Sequence, residues 1–245
     1  MLTCTIITVV ISIVLAVALN GISEIFNADA LTKSYFCTYY GVLLLELPLM
    51  VVNSAFGMFI RGEGNPVFVM ISNIIMVVLN IILDFLFVGP LDMGMSGIAW
   101  ASFIAAFVVT IMYCMYFERE SKVFKFGVFQ MDFAVMREMI FNGGSEFIGE
   151  LSMCISMAAY NHIVLKYAGV DGVAAFTIIG YVSYVFSMIV IGFGQGIVPL
   201  LSYSFGAKEY KEGKKVRNTT IGMVVGTAIV IFQHHFQHYF CMYED

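Results

Sequence analysis

Two residues in one apolar run have the types and spacing for ion chemistry. In PVFVMISNIIMVVLNIILDFLFV, residues 66–88, Asn80 and Asp84 stand four apart, and Asn73 lies two turns earlier on nearly the same stripe. On a helix such spacing stacks the side chains on one face. The run is long enough as a helix to cross the roughly 30 Å hydrocarbon core of a bilayer. A carboxylate at that depth costs about 2.5 to 3.5 kcal/mol on insertion scales, so it is expected to face other helices or a water-filled cavity and to serve an ion, a proton or a substrate. The alternative is an acid near a helix end that reaches the interface and helps packing.

Other acids compete for such a role. Glu46 lies in the first half of a run at 37–60, where it reads equally as a second functional acid and as a side chain reaching the interface. Glu146 and Glu150 stand in the first turns of a run at 145–166. The helix dipole favours acids there, which suffices to explain Glu146; Glu150, about one turn deeper, is the better functional candidate of the two. His162 ends the same run and has no partner at ligand spacing, so it reads as an interface residue. His234, His235 and His238 resemble metal spacing on a helix, but their ligand set cannot be completed, and no metal site is expected. The five cysteines are far apart and lack ligand spacing, so they read as small packing residues without a disulfide.

The elements that must position these residues follow from composition. Hydrophobic residues make up 60% of the 245, and charged residues only 12%. A soluble domain carries about a quarter charged residues, so the whole chain reads as an all-α, polytopic membrane protein with the lipid bilayer as its surroundings. The net charge of −5 is scattered, with no basic tract for nucleic acid. No metal set, nucleophile triad or phosphate loop appears, so an enzyme is not expected. About seven apolar runs follow in order, at 2–26, 37–60, 66–88, 95–117, 145–166, 173–201 and 219–232. The first starts at the initiating Met with no basic residue before it and no small-residue cleavage site, and it reads as a membrane helix, not a signal peptide. The fourth opens with Gly94, Ser96, Gly97, Ala99, Ala101 and Ser102, small residues that let it approach the third closely near Asp84. From 118 to 142 charges are interspersed with Phe133, Met136, Met139 and Ile140 at helical spacing, which predicts a short amphipathic helix in the interface.

RGEGNP at 61–66, NIILDFLFV at 80–88, GMSGIAWAS at 94–102 and GQGIVPLLSYSFGAKEYKEGKKVRN at 194–218 resemble, in order and spacing, the multidrug and toxic compound extrusion (MATE) family. The resemblance implies two lobes of six helices, with the runs here corresponding to the third through ninth helices: an incomplete two-lobe fold, and a fragment of the family's full chain. Residues 1–117 would then be a partial amino-terminal lobe, 118–144 a cytoplasmic link, and 145–245 a partial carboxyl-terminal lobe. By resemblance Asn80 and Asp84 match the fifth-helix pair of the cation site, and Ser102 falls where many members place a Thr on the sixth helix. The first-helix Asp that completes that site has no counterpart in this sequence. Glu146 and Glu150 resemble acids at the start of the seventh helix in some bacterial members.

The implied function is export of small, often cationic organic compounds in exchange for Na+ or H+, with no other cofactor, and with an oligomeric state that the resemblance leaves open. A fragment alone would leave cavity-facing polar groups against lipid, so export by this chain in isolation is not expected. The nearest alternative is a lipid-linked oligosaccharide flippase of the same superfamily, whose cavity tends to be cationic where the intramembrane charges here are acidic. A third is a non-transporting membrane chain.

Topology follows from counting Lys and Arg. Runs alternate sides, and one side holds Arg61, then Arg119, Lys122, Lys125 and Arg137, then Lys208, Lys211, Lys214, Lys215 and Arg217, ten of the twelve; Lys33 and Lys166 flank the other. The positive-inside rule places the amino terminus and the 118–142 stretch in the cytoplasm of a cell in whose plasma or inner membrane the chain sits, and the carboxyl end outside. In a background without the native cysteines, an impermeant thiol reagent applied to intact cells should label Leu31→Cys and spare Lys122→Cys. The opposite pattern overturns the orientation.

Overall fold

In the computed structural model, residues 2–25, 30–123 and 132–241 are described, and every element among them is a helix. The order is α1 (Leu2–Ile25), α2 (Ala30–Gly62), α3 (Pro66–Val88), α4 (Gly94–Arg119), α5 (Phe133–Gly206) and α6 (Tyr210–Cys241). Inside α5 the backbone breaks at Gly169, where φ is 65° and ψ −161°. A positive φ of this kind is easy only for glycine. Tyr160 and Phe176, either side of the break, bring their ring centroids within 5.9 Å, so α5 is a helical hairpin. Counted as two helices, it brings the helical segments among the described residues to seven. α2, α3, α4 and α5 are long and apolar enough to cross a membrane, and α1 carries the shorter apolar stretch Thr3–Leu19.

The chain divides into two compact units, Met1–Phe129 and Gln130–Asp245. In the first, α4 packs most extensively on both α2 and α3, and α1 packs on α2. The core sits where α2, α3 and α4 converge, built from Phe56, Ile60, Val69, Val109, Tyr113, Tyr116 and Phe117. The tilted rings of Phe56 and Phe117 lie 4.8 Å apart, and those of Phe68 and Tyr116 4.9 Å. At this end the turn between α2 and α3 is closed by Gly64 at φ 91°. Asn65 then caps α3, its side chain accepting from the Phe68 amide at 3.3 Å, with Pro66 in the first turn where its missing N–H has no helical partner to lose. Glu63 reaches from this turn to the end of α4, its Oε1 accepting from the Ser121 hydroxyl and from the Val123 amide at 3.1 Å. Arg61, Arg119 and Lys122 therefore share one end of the unit.

In the second unit α6 packs on the end of α5. A Cβ on Gly213 would lie 3.4 Å from the Cβ of Ser204, which is itself buried. Many apolar side chains point outward in both units, Val17, Phe85 and Tyr181 among them, as expected of helices whose surroundings are lipid.

Three boundaries differ from the sequence reading. α2 starts at Ala30, because ALTKSYF holds no proline or glycine to stop a helix, and it continues through Pro48. The amphipathic stretch is not a separate short helix. Asp132 caps α5, accepting from the amides of Ala134 at 2.9 Å and Val135 at 3.3 Å, and the helix runs on through Gly143 and Gly144, since glycine alone lowers helix stability without ending it. α6 likewise runs on to Cys241. Lys125 and much of the expected link lie outside the described residues, as do the side chains of His234, His235 and His238.

α3 and α4 approach closely at Gly97 of α4. A Cβ there would lie 2.8 Å from the Cβ of Phe87 and 3.3 Å from its backbone carbon. Gly97→Ala should therefore destabilise the protein by about 1–3 kcal/mol through overpacking. Gly41→Ala, in open space on α2, should be neutral or stabilising by about 0.4–1 kcal/mol. Unfolding in detergent followed by circular dichroism measures both; equal effects would show that the α3–α4 approach is not tight.

Candidate functional site

The polar stripe of α3 meets α4 at one point of contact. The Asn80 side-chain amide donates to the Ser102 hydroxyl oxygen at 3.1 Å. Both are half-buried. Asp84, one turn further along α3, is half-buried as well, and its Oδ1 is buried with no hydrogen-bond partner. Asn73, two turns back on the stripe, is exposed. The helices can come this close because α4 presents Gly97, Ala99, Ala101, Ala105 and Ala106, all buried. Small side chains let membrane helices approach until their polar groups meet. Gly97 sits against Phe87, so the tight approach and the Asn80–Ser102 bond bracket Asp84 on either side.

Chemically, this gives a carboxylate oxygen without a donor, an amide and a hydroxyl within about a turn of one another. Oxygen-rich groups of that kind suit a hard cation or a proton. Asp84 lies four residues from the end of α3, about 6 Å along the axis, while Asn80 and Ser102 lie deeper.

The remaining candidates fall elsewhere. Glu46 is 4% exposed on α2, with Oε2 lacking a partner. The longer α2 puts it sixteen residues from Ala30 and sixteen from Gly62, at the middle of the helix. Glu146 and Glu150 stand one turn apart on α5 and are both exposed, as is His162. Cys4, Cys37, Cys114 and Cys154 form no disulfide.

Sequence reading missed one polar junction. The Asn53 amide of α2 donates to the Ala106 carbonyl at 3.0 Å, and Thr110 donates its hydroxyl proton to Asn53 Oδ1 at 2.9 Å while lying 2.9 Å from the same carbonyl. This clamps α2 to α4. The signal was present, since Asn53 and Thr110 are isolated polar residues inside apolar runs, the situation in which a side chain must find its partner on another helix.

The family model described as MatE matches residues 1–86 and 147–240. Among curated proteins, the chain is similar to the multidrug export protein MepA of Staphylococcus saprophyticus, 25% identical over 226 residues that cover 91% of this chain and 49% of the relative. It is similarly related to MepA of Staphylococcus haemolyticus, 25% identical, covering 87% of this chain and 46% of that protein. Among solved structures, a crystal structure of MATE in the straight conformation superposes with a TM-score of 0.83 at 22% identity, covering 93% of this chain and 52% of that one. The MATE multidrug transporter DinF-BH superposes at 0.76 with 28% identity, covering 89% and 51%. The chain thus spans about half the length of the relatives it matches.

The Asn80–Ser102 bond can be measured directly. A double-mutant cycle of Asn80→Ala and Ser102→Ala, read by unfolding in detergent, should give a coupling of about 0.6 kcal/mol and no more than about 1.7. Strict additivity would mean that the two side chains do not interact.

Proposed function

The chain belongs to the MatE family, and on that footing we propose that it forms part of a cation-coupled exporter of small organic compounds. In this reading Asp84 exchanges Na+ or H+, with Asn80 and Ser102 holding the surrounding polar groups in place. The observation that carries the reading is the buried, unpartnered Oδ1 of Asp84, one turn from an interhelical amide–hydroxyl bond. An acid left in that state is poised to take a cation from one side and release it to the other, because each bound form relieves a cost the free carboxylate bears. The name of the MepA relatives supports export of multiple drugs as the task. A flippase finds less support: in the spans around Asp84 the basic residues Lys33, Arg61 and Arg119 stand near the helix ends.

The same reading treats residues 1–117 and 145–245 as parts of two lobes joined by 118–144, with Glu146 and Glu150 as a further acidic pair in the second. It places the chain in the cell membrane with its amino terminus in the cytoplasm, supported by the common end that Arg61, Arg119 and Lys122 share around Glu63.

Energised efflux of a fluorescent cationic dye, with the gene expressed from its own locus so that any flanking coding sequence is retained, tests the role of Asp84. Asp84→Asn should reduce efflux to background while membrane expression persists. Asn80→Ala should weaken it only severalfold, in line with the roughly 0.6–1.7 kcal/mol of an interhelical bond. Leu83→Ala, off the stripe, should transport like the parent. Unaltered efflux in Asp84→Asn across a range of pH and Na+ would exclude Asp84 as the coupling group.

A further inference from the structure

Glu46 is the most deeply placed acid among the described residues. It is 4% exposed, and its Oε2 has no hydrogen-bond partner. It stands at the midpoint of the 33-residue α2, about 24 Å from either end of that helix. Ser12 of α1, the helix that packs on α2, is 7% exposed, and its Oγ also lacks a partner.

Among the described residues no fixed positive charge stands within a turn of this acid on α2 or at its level on α4. One turn away on α2 stand Val42, Leu43, Leu49 and Met50. The Asn53–Ala106 bond sets the register with α4, so the level of Glu46 falls near Ala99–Phe103, a segment in which Ser102 already accepts from Asn80 and Trp100 is exposed. The titratable groups of α4, Tyr113, Cys114, Tyr116, Glu118 and Arg119, lie in its last two turns. On α3 there is Asp84, and among the described side chains of α1 there is Cys4. On α2 itself, Lys33 and Arg61 stand close to opposite ends. Among the described residues an ionised Glu46 would have no counter-charge near it, and a buried, unpaired charge is strongly disfavoured.

We propose that Glu46 is a proton-binding site in the core of the first unit. A proton fits this setting better than a metal cation. It neutralises one oxygen and needs no further ligands, whereas Na+ must replace its hydration shell with several oxygens, and the apolar surroundings provide too few. The step is simple acid–base exchange: the carboxyl gives its proton to water and becomes the carboxylate, and regains it from water. This site concerns proton binding alone and stands whether or not Asp84 couples export.

Infrared difference spectra between acid and alkaline buffer, recorded on the purified protein in lipid nanodiscs, test it. The parent should show a protonated-carboxyl carbonyl band that appears and disappears with pH. Glu46→Gln, an isosteric neutral change, should remove one component of that band, and Asp84→Asn should leave that component in place. If the parent and Glu46→Gln difference spectra subtract to leave no titrating carbonyl component, the proposal is overturned. If circular dichroism shows that Glu46→Gln has lost helicity, Glu46→Asp decides: the band should move to the aspartic acid position, and an unmoved band overturns the site.

Discussion

The first unit depends on how closely helices can approach α4. Inside a bilayer apolar contact between helices gives no advantage over contact with lipid tails, so association rests on tight packing and on polar groups that find partners. The face formed by Gly97, Ala99, Ala101, Ala105 and Ala106 makes the first possible. It lets Phe87 of α3 come against Gly97, and on α2 it lets Asn53 reach the Ala106 carbonyl. Two interhelical polar contacts, Asn80 with Ser102 and Asn53 with Thr110, follow from that one property. Replace the small residues with leucine and both contacts lose their geometry, though neither partner has changed.

Against this background the polar residues sort themselves physically. Several hydroxyls within the helices are satisfied locally: Thr8, Thr38, Ser72, Ser152, Thr177, Thr220 and Thr227 each donate to the carbonyl four residues back. Such bonds let serine and threonine sit in a membrane helix at little cost. Among the described residues, three buried side-chain atoms have no partner: Ser12 Oγ, Glu46 Oε2 and Asp84 Oδ1. Two of the three belong to acids in membrane-spanning helices, where an unmet oxygen has the highest cost and an exchangeable proton or cation relieves it most.

The stripe of Asn80 and Asp84 was legible in the sequence because helical spacing alone stacks them, and the close packing of α4 because a cluster of small residues has one structural use in a membrane. Ser102 was legible only through family resemblance, since a lone serine carries no signal of which helix it faces. The depth of Glu46 was not legible. Polar residues at 30–36 masked the true start of α2, and seven residues at its beginning moved the acid from the first half of a run to its centre. The two arms of the α5 hairpin were legible as the runs at 145–166 and 173–201, with Gly169 between them, but the start of α5 was not: the glycine pair at 143–144 looks like a break and is helical, while the single Gly169 makes the turn. A glycine's conformation is set by what packs around it, which local sequence does not contain.

The central claim is that the α3–α4 polar cluster around Asp84 takes up a cation, and the chain carries its own reporter for it. Trp100, the one tryptophan in the sequence, lies two residues from Ser102 and edge-on to Phe103 at 5.5 Å. Its fluorescence in reconstituted protein, titrated with Na+ at fixed pH and with pH in the absence of Na+, reads the state of the cluster. A saturable change with one of the two cations in the parent, absent in Asp84→Asn, is the expected result. The same saturable change in Asp84→Asn, or a flat response of the parent to both cations, would contradict the claim.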